Sequence, residues 1–328
     1  MNSWLVARWY ADAPAPLLLR PLASLYGRIA AQRRLRLQAR AQRLGVPVIV
    51  VGNIAVGGTG KTPLVIWLVE RLRAWGWRPG VVSRGYGGKP PQRPYLVRAD
   101  GDPRACGDEP LLIARRGGVP VVVDPDRVAA ARQLLRAGEV DVIVSDDGLQ
   151  HYRLARDLEI GVVDARRGLG NGALLPAGPL REPPARLREL DLVVVNGEGW
   201  SDVSLRPLRM RLLAGEAVSG SGERRALSAF AGRRVHAVAG IGHPQRFFET
   251  LRAAGIEVIE HAFADHHRFR PQDLAFADTL PLMMTEKDAV KCAGFFGADW
   301  WVLPVSAHFD AADERRVRES VERLRTDR

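Results

Sequence analysis

The segment Val48-Ile49-Val50-Val51-Gly52-Asn53-Ile54-Ala55-Val56-Gly57-Gly58-Thr59-Gly60-Lys61-Thr62-Pro63-Leu64-Val65 decides the fold class of this chain. Val48 to Val51 form a short apolar run of the kind buried on both faces of a sheet, and Leu64, Val65 and Leu68 then recur at helical spacing. Between them lies a glycine loop ending in Lys-Thr, in the strand-loop-helix context that a phosphate-binding loop requires. Glycines let the backbone wrap a polyphosphate so that amides and the helix N-terminus face its oxygens. Residues Ala55, Val56, Gly57, Gly58, Thr59, Gly60, Lys61 and Thr62 are therefore the predicted nucleotide cradle, Lys61 neutralising the β and γ phosphates and Thr62 reaching Mg²⁺. Position 55 is Ala where this loop more usually has Gly.

Working outward, further β-branched runs alternate with helical patterns: Val81 to Ser83, Val121 to Val123, Val142 to Val144, Ile160 to Val163 and Leu192 to Val195. Such alternation predicts an α/β fold, a P-loop NTPase-type doubly wound parallel sheet. The run at Val142 ends in Asp146-Asp147-Gly148, which puts two carboxylates at a strand's C-terminal edge, where open α/β sheets bind ligands. An Asp-Gly turn is the bland account. Beside a phosphate loop, metal support by Asp146 and Asp147 is the better one.

Beyond residue 200 the pattern changes. Residues 201–225 read as an extended linker, and 226–310 as a second, smaller α/β unit, with Val235 to Val238 leading into Gly240-Ile241-Gly242. The charged tail at 311–328 reads as a solvated helix. Residues 45–200 are then the nucleotide-binding domain and 1–44 a separate N-terminal segment.

That segment carries much of the chain's net charge of +11: before Glu70 the only acidic residue is Asp12, against Arg8, Arg20, Arg28, Arg33, Arg34, Arg36, Arg40, Arg43 and Lys61. Leu18, Leu22, Leu25 and Ile29 fall at helical spacing, so a basic amphipathic helix is expected. Trp4, Trp9 and Tyr10 precede it, and aromatics with arginines favour a membrane surface over a helix packed only on its own core. A nucleic-acid arm is disfavoured because the charges accompany an apolar seam and no base-reading module is visible. No apolar run reaches the ~18 to 20 residues of a spanning helix, and no signal-peptide core stands at the front. The two cysteines, Cys106 and Cys292, have neither disulfide-framework nor metal-ligand spacing, which fits a reducing cytoplasm.

Several segments stay open between function and structure on residues alone. Ser83-Arg84-Gly85-Tyr86-Gly87-Gly88 fits either a phosphate-binding turn or an ordinary strand-end turn. Asp108 of Gly107-Asp108-Glu109-Pro110 fits a helix cap, and Asp265-His266-His267 an exposed loop. Thr285-Glu286-Lys287-Asp288 has its lysine one place late for guanine recognition, which favours ATP.

Taken in order, VGNIAVGGTGKTP, SRGYGG, GDEP, SDDGLQH, DARRGLGNGALLPAGPLREP, AGIGHPQRFF, FADHH and TEKDAVK resemble the motifs of the tetraacyldisaccharide 4′-kinases, from about Val48 to Lys291. The resemblance implies transfer of the γ-phosphate of ATP to the 4′-hydroxyl of a lipid-linked glucosamine disaccharide 1-phosphate, forming lipid IVA at the cytoplasmic face of the bacterial inner membrane. It implies two α/β domains joined by a short β-ribbon, with the active site between them, ATP and Mg²⁺ as cofactors, an anionic membrane surface as partner, and no nucleic-acid or protein partner. Carried over by motif, Asp108 would act on the acceptor hydroxyl with His266 as its partner. Glu109, Arg127 and Arg181 would be substrate residues, Arg181 toward the 1-phosphate. The rival reading is a P-loop ATPase that drives assembly or metal insertion, which the fold alone would serve equally well.

Overall fold

The computed structural model of the chain describes residues 3–11 and 13–326. Its strands in chain order begin with β1 (Val48–Gly52), β2 (Pro79–Ser83), β3 (Tyr95–Val97), β4 (Val121–Val123), β5 (Val142–Asp146), β6 (Leu158–Asp164), β7 (Leu192–Asn196) and β8 (Leu208–Ala214). There follow β9 (Ala217–Ser219), β10 (Arg224–Arg225), β11 (Arg234–Ala239), β12 (Glu257–Ala262), β13 (Leu282–Thr285), β14 (Trp301–Leu303) and β15 (Val305–His308). The helices are α1 (Ser3–Tyr10), α2 (Arg20–Gln38), α3 (Lys61–Ala74), α4 (Pro103–Cys106), α5 (Asp108–Gly117), α6 (Arg127–Ala137), α7 (Pro244–Ala253), α8 (Glu286–Lys291) and α9 (Ala311–Thr326).

The larger sheet runs β15-β8-β7-β6-β1-β5-β2-β4-β3, parallel from β8 to β4 with an antiparallel strand at each edge. All five residues of β1, β2, β5 and β7 are buried, which is why those runs carry no polar alternation. One face packs on Leu64, Leu68 and Leu72 of α3 and Leu111 of α5, the other on Val128, Ala131 and Leu134 of α6. The sheet is thus doubly wound, as expected, and the C-terminal ends of β1, β2 and β5 open on one crevice.

The smaller sheet, β10-β9-β14-β13-β11-β12, packs Phe247, Phe248 and Leu251 of α7 on one side and Phe269, Leu274 and Cys292 on the other. Two chain crossings join the sheets, and they run antiparallel to each other: Ala214 pairs with Val305, and Val218 with Val302. Between these pairs the Gly215 amide donates to the Pro304 carbonyl at 2.9 Å. Residues 201–225, expected as a linker, are therefore shared out. β8 is a member of the large sheet through its parallel pairing with β7, and β9 and β10 close an edge of the small one.

Two expectations need correcting at the ends of the chain. The tail is helical, but its solvated character holds on one side only, since Val317, Val321 and Leu324 are buried in the large core with Trp67 and Phe309. At the front, Trp9 does not face a membrane. It is 1% exposed, donates from Nε1 to the Pro176 carbonyl at 3.1 Å, and its own carbonyl accepts from Asn171 N at 2.8 Å. Tyr10 also turns inward, its hydroxyl donating to Val56 O at 3.2 Å. The side chain of Trp4 lies outside the described residues. The apolar seam is exposed: Leu18, in a 3₁₀ turn just before α2, is 91% exposed, and Leu22, Leu25 and Ile29 of α2 are 53%, 54% and 56% exposed.

Candidate active site

The predicted phosphate loop leaves β1 and closes on α3, whose first residue is Lys61 and second Thr62. Gly60 has φ 92°, and a Cβ there would fall 2.4 Å from Asn196 Nδ2, so the turn requires glycine on both counts. Asn196, at the end of β7, donates to the Thr59 carbonyl at 3.0 Å and braces the loop from behind. Asn53 reaches Gly57 O at 3.3 Å and Thr59 Oγ at 3.4 Å. Ala55, whose identity departs from the usual glycine, bridges Leu180 in antiparallel fashion, and the Val56 amide donates to Pro179 O at 2.9 Å. The loop's first half is therefore held as strand against the LLPAGPL segment, a conformation that alanine adopts freely.

At the end of β5, Asp146 and Asp147 sit in opposite electrostatic settings. Asp146 is 1% exposed and accepts from Ser83 Oγ at 3.0 Å, while its Oδ1 is buried without a protein partner. Burial, together with repulsion from Glu109 and Asp147, pushes its carboxyl up to about 7. Asp147 lies 3.5 Å from Lys61 Nζ and 3.3 Å from Arg181 Nη1. Burial would raise it too, but Lys61 and Arg181 overcome that and hold it down at about 2. Arg181, expected toward a substrate phosphate, is thus engaged with Asp147 and with Gln150 Oε1 at 3.3 Å. Arg127, at the start of α6, is buried and bonds the Asp124 carbonyl at 3.1 Å. Its Nε has no partner, and burial lowers its pKa against the pull of Asp146 and Asp147.

At the boundary between the lobes, Asp108 opens α5 of the large one and His266 comes from the loop after β12, 158 positions away in sequence. His266 Nδ1 lies 3.0 Å from Asp108 Oδ2 and 3.2 Å from Oδ1. Burial would raise the Asp108 carboxyl, but the His266 hydrogen bond and the Lys287 charge outweigh it and leave it below the usual carboxylate range. The bond to Asp108 in turn raises His266 above its ordinary value, against burial. Two residues that look unremarkable separately, a helix-opening Asp and a loop His, form one hydrogen-bonded pair. His266 adopts φ 61°, a left-handed conformation that costs a non-glycine residue energy and is held by surrounding contacts.

Residue types alone did not single out several participants. Lys287 of α8 lies 2.9 Å from Glu109, 3.3 Å from Asp265 and 3.9 Å from Asp108. The ring of Tyr86, from the SRGYGG turn, stands 5.1 Å from that of His266. Arg167 donates to Gly242 O at 3.0 Å and carries the small lobe's Gly240–Gly242 turn up to the phosphate loop, where a Cβ on Gly242 would lie 3.5 Å from Gly58 N. Asn196 ends β7 and Tyr86 lies in the turn after β2, and that nearness to strand ends is the one sequence signal that could have found them.

A family described as tetraacyldisaccharide-1-P 4′-kinase matches residues 15–324 of the chain. A tetraacyldisaccharide 4′-kinase of Pseudomonas putida is 55% identical over 92% of each chain, and one of Pseudomonas aeruginosa 54% identical over 92% of each. Among solved structures, LpxK of Aquifex aeolicus in complex with ATP superposes with a TM-score of 0.77 at 28% identity, covering 93% of this chain and 98% of that one.

Proposed function

The chain belongs to the tetraacyldisaccharide 4′-kinase family, and from that premise we propose that the Asp108–His266 pair activates the 4′-hydroxyl of the lipid-linked acceptor while the phosphate loop presents ATP. The chain is a kinase of lipid A biosynthesis that phosphorylates the tetraacyldisaccharide 1-phosphate at its 4′ position. What supports the assignment of roles is the pair itself, made by residues of two lobes at the mouth of the crevice that holds Lys61.

Phosphoryl transfer asks little covalent chemistry of a protein beyond positioning and charge neutralisation. Ionised Asp108 accepts a hydrogen bond from the 4′-hydroxyl and aims its lone pair at the γ-phosphorus. The proton leaves late in a loose transition state, and Asp108 is its first acceptor. His266, bonded to the same carboxylate, fixes its orientation, and when neutral it accepts the proton that Asp108 has taken. Lys61 and the amides of residues 57–62 neutralise the phosphate charge that shifts toward the leaving group.

Mg²⁺ fits the oxygen donors at the end of β5, because a buried carboxylate oxygen of Asp146 has no protein partner and a hard dication prefers such ligands. Thr62, Asp146 and Asp147 would hold it. When bound, the ion supplies charge neutralisation on the β and γ phosphates. Glu109, near Asp146, and Arg127, behind the carboxylate pair, shape the field in which that charge sits.

The enzyme works at the cytoplasmic face of the inner membrane, held there by α2. Among the described residues no helix is long and apolar enough to cross a membrane. The exposed apolar seam of Leu18, Leu22, Leu25 and Ile29 with its surrounding arginines is the feature that supports surface attachment.

The test is transfer of label from γ-labelled ATP to the disaccharide 1-phosphate by full-length protein. Asp108→Ala and His266→Ala should each lower kcat by roughly 10²- to 10⁴-fold with little change in the KM for ATP. The double variant should be scarcely slower than the poorer single one, because groups acting as a unit are non-additive. A near-normal His266→Ala rate, or losses that multiply, would refute the pair. ATP turnover that ignores the lipid acceptor would favour the assembly ATPase instead.

A further inference from the structure

The TEKDAVK segment is the motif to which the reaction as derived gives no task, and each of its polar residues is engaged. Thr285 caps α8, accepting from Asp288 N at 3.2 Å and donating to Asp288 Oδ2 at 2.6 Å. Asp288 is fully buried, takes the Gly240 amide at 3.0 Å and pairs with Lys291 at 2.6 Å, which roots α8 in the small lobe. Two side chains then cross to α5 of the large lobe. Glu286 accepts from Arg116 Nη1 at 2.8 and 2.9 Å on the outer side, and Lys287 reaches Glu109 at 2.9 Å on the inner side.

Resting on the kinase reading above, we propose that Lys287 is a positioning residue: by tying Glu109 of α5 to Asp265 of the small lobe it holds the strained His266 against Asp108.

Three features carry this. Asp265 directly precedes His266, so the 3.3 Å contact from Lys287 fixes the loop at the residue next to the one with φ 61°. A left-handed conformation at a non-glycine residue persists only where neighbours over-determine it. The second feature is charge. Asp108, Glu109 and Asp265 converge at the lobe boundary, and Lys287 lies within 4 Å of all three, so its loss would remove a positive charge that the three carboxylates share. The third is burial. The Lys287 side chain is 18% exposed, and burial works against its charge, yet the surrounding carboxylates more than restore it and keep the ammonium protonated. Its contacts with Asp108, Glu109 and Asp265 lie outside residues 55–62, so its main effect should fall on the acceptor end of the cleft.

The experiment uses the full-length enzyme, γ-labelled ATP and disaccharide 1-phosphate. Lys287→Met keeps much of the stem and removes the charge; kcat should fall by roughly 10- to 100-fold, as for a reacting group displaced by about 1 Å, with the KM for ATP nearly unchanged. Asp265→Asn cuts the same tie from its more exposed side and should lower kcat in the same direction. It also decides the matter if Lys287→Met does not fold. Because Lys287 acts through His266, adding Lys287→Met to His266→Ala should cost little more than His266→Ala alone. Multiplying losses would overturn the proposal, as would a raised KM for ATP at constant kcat, which would make Lys287 a nucleotide contact. A near-normal His266→Ala rate is a separate outcome: it would refute the Asp108–His266 reading itself, and this proposal with it.

Discussion

Replacing Leu18, Leu22 and Leu25 together by Gln should detach the protein from anionic vesicles while leaving its fold intact. Full burial of a leucine side chain is worth about 1.5–3 kcal/mol. Leu18, at 91% exposed, has nearly all of that to gain from a lipid surface, whereas Leu22 and Leu25, at 53% and 54%, have about half. Taking mid-range values, the three contribute about 4 kcal/mol, which is roughly 10³-fold in the partition coefficient. The arginines should add an attraction of about 1 kcal/mol each where they reach the headgroups, and that part alone should fade as salt rises. Co-sedimentation with vesicles containing phosphatidylglycerol, read across a lipid titration at low and high salt, separates the two contributions.

Point substitution is the right perturbation, because the N-terminal segment also supports the site. Tyr10 bonds Val56 in the phosphate loop, Tyr26 donates to the Arg181 carbonyl at 3.2 Å, and Trp9 is part of the core. A deletion through Ile29 would remove all three and confuse attachment with catalysis. The Gln variant should keep its melting temperature, since exposed substitutions usually change stability by no more than about 0.5 kcal/mol. If it sedimented with vesicles as the parent does, the seam would not be the anchor. If it unfolded, the seam would be packing surface and the membrane assignment would fail.

Three further outcomes follow from the site and the core. Because Asp146 stands near pKa 7 through burial and its acidic neighbours, and must lose its proton to bind a dication, apparent Mg²⁺ affinity should weaken by about tenfold from pH 8 to pH 6. Calorimetry in buffers of different ionisation enthalpy should show proton release near pH 7, and flat affinity across that range would remove Asp146 as a ligand. His266 and Lys287 keep the Asp108 carboxyl low against burial, so His266→Ala should raise its pKa and move the acidic limb of the residual rate profile to higher pH; an unmoved limb would mean that the limb belongs to another group. Val321→Ala in α9 should cost roughly 2 kcal/mol in a denaturant titration, whereas a loss near zero would fit a solvated tail.

The parallel sheet was legible because fully buried strands leave continuous apolar runs, and those at Val48, Val142 and Leu192 became β1, β5 and β7. The turn of the glycine loop from β1 into α3 was legible because its constraint is local: Gly60 needs its left-handed φ, and Lys61 and Thr62 open the helix directly after it. Asp108 and His266 were legible only through resemblance, since a helix-opening Asp and a loop His carry no pattern that points at each other. Trp9 and α9 were misread for a common reason. Charge density around Arg8 and along residues 311–328 outweighed the apolar positions among them, although Val317, Val321 and Leu324 sit at the i, i+4, i+7 spacing of one buried face.

Lys287 shows where reading one dimension runs out. Tested against a guanine-binding pattern, its position was one place late, and that comparison used up the information its neighbours in sequence could give. Its partners come from α5 and from the loop after β12, brought together only because the chain leaves the large sheet by β8, builds the small one, and returns by β15. The same return path decides what each half can do alone. The large lobe holds the phosphate loop, the carboxylate pair and Asp108, but His266 and Lys287 reach it only from the small lobe. Tyr10 and Tyr26 then tie α1 and α2 to that same crevice, so any surface that bound Leu18 and Leu22 would also fix the direction in which the cleft opens. On the proposal that the exposed seam rests on a bilayer, that shared frame would let a hydroxyl at the membrane surface meet a phosphate held in the protein.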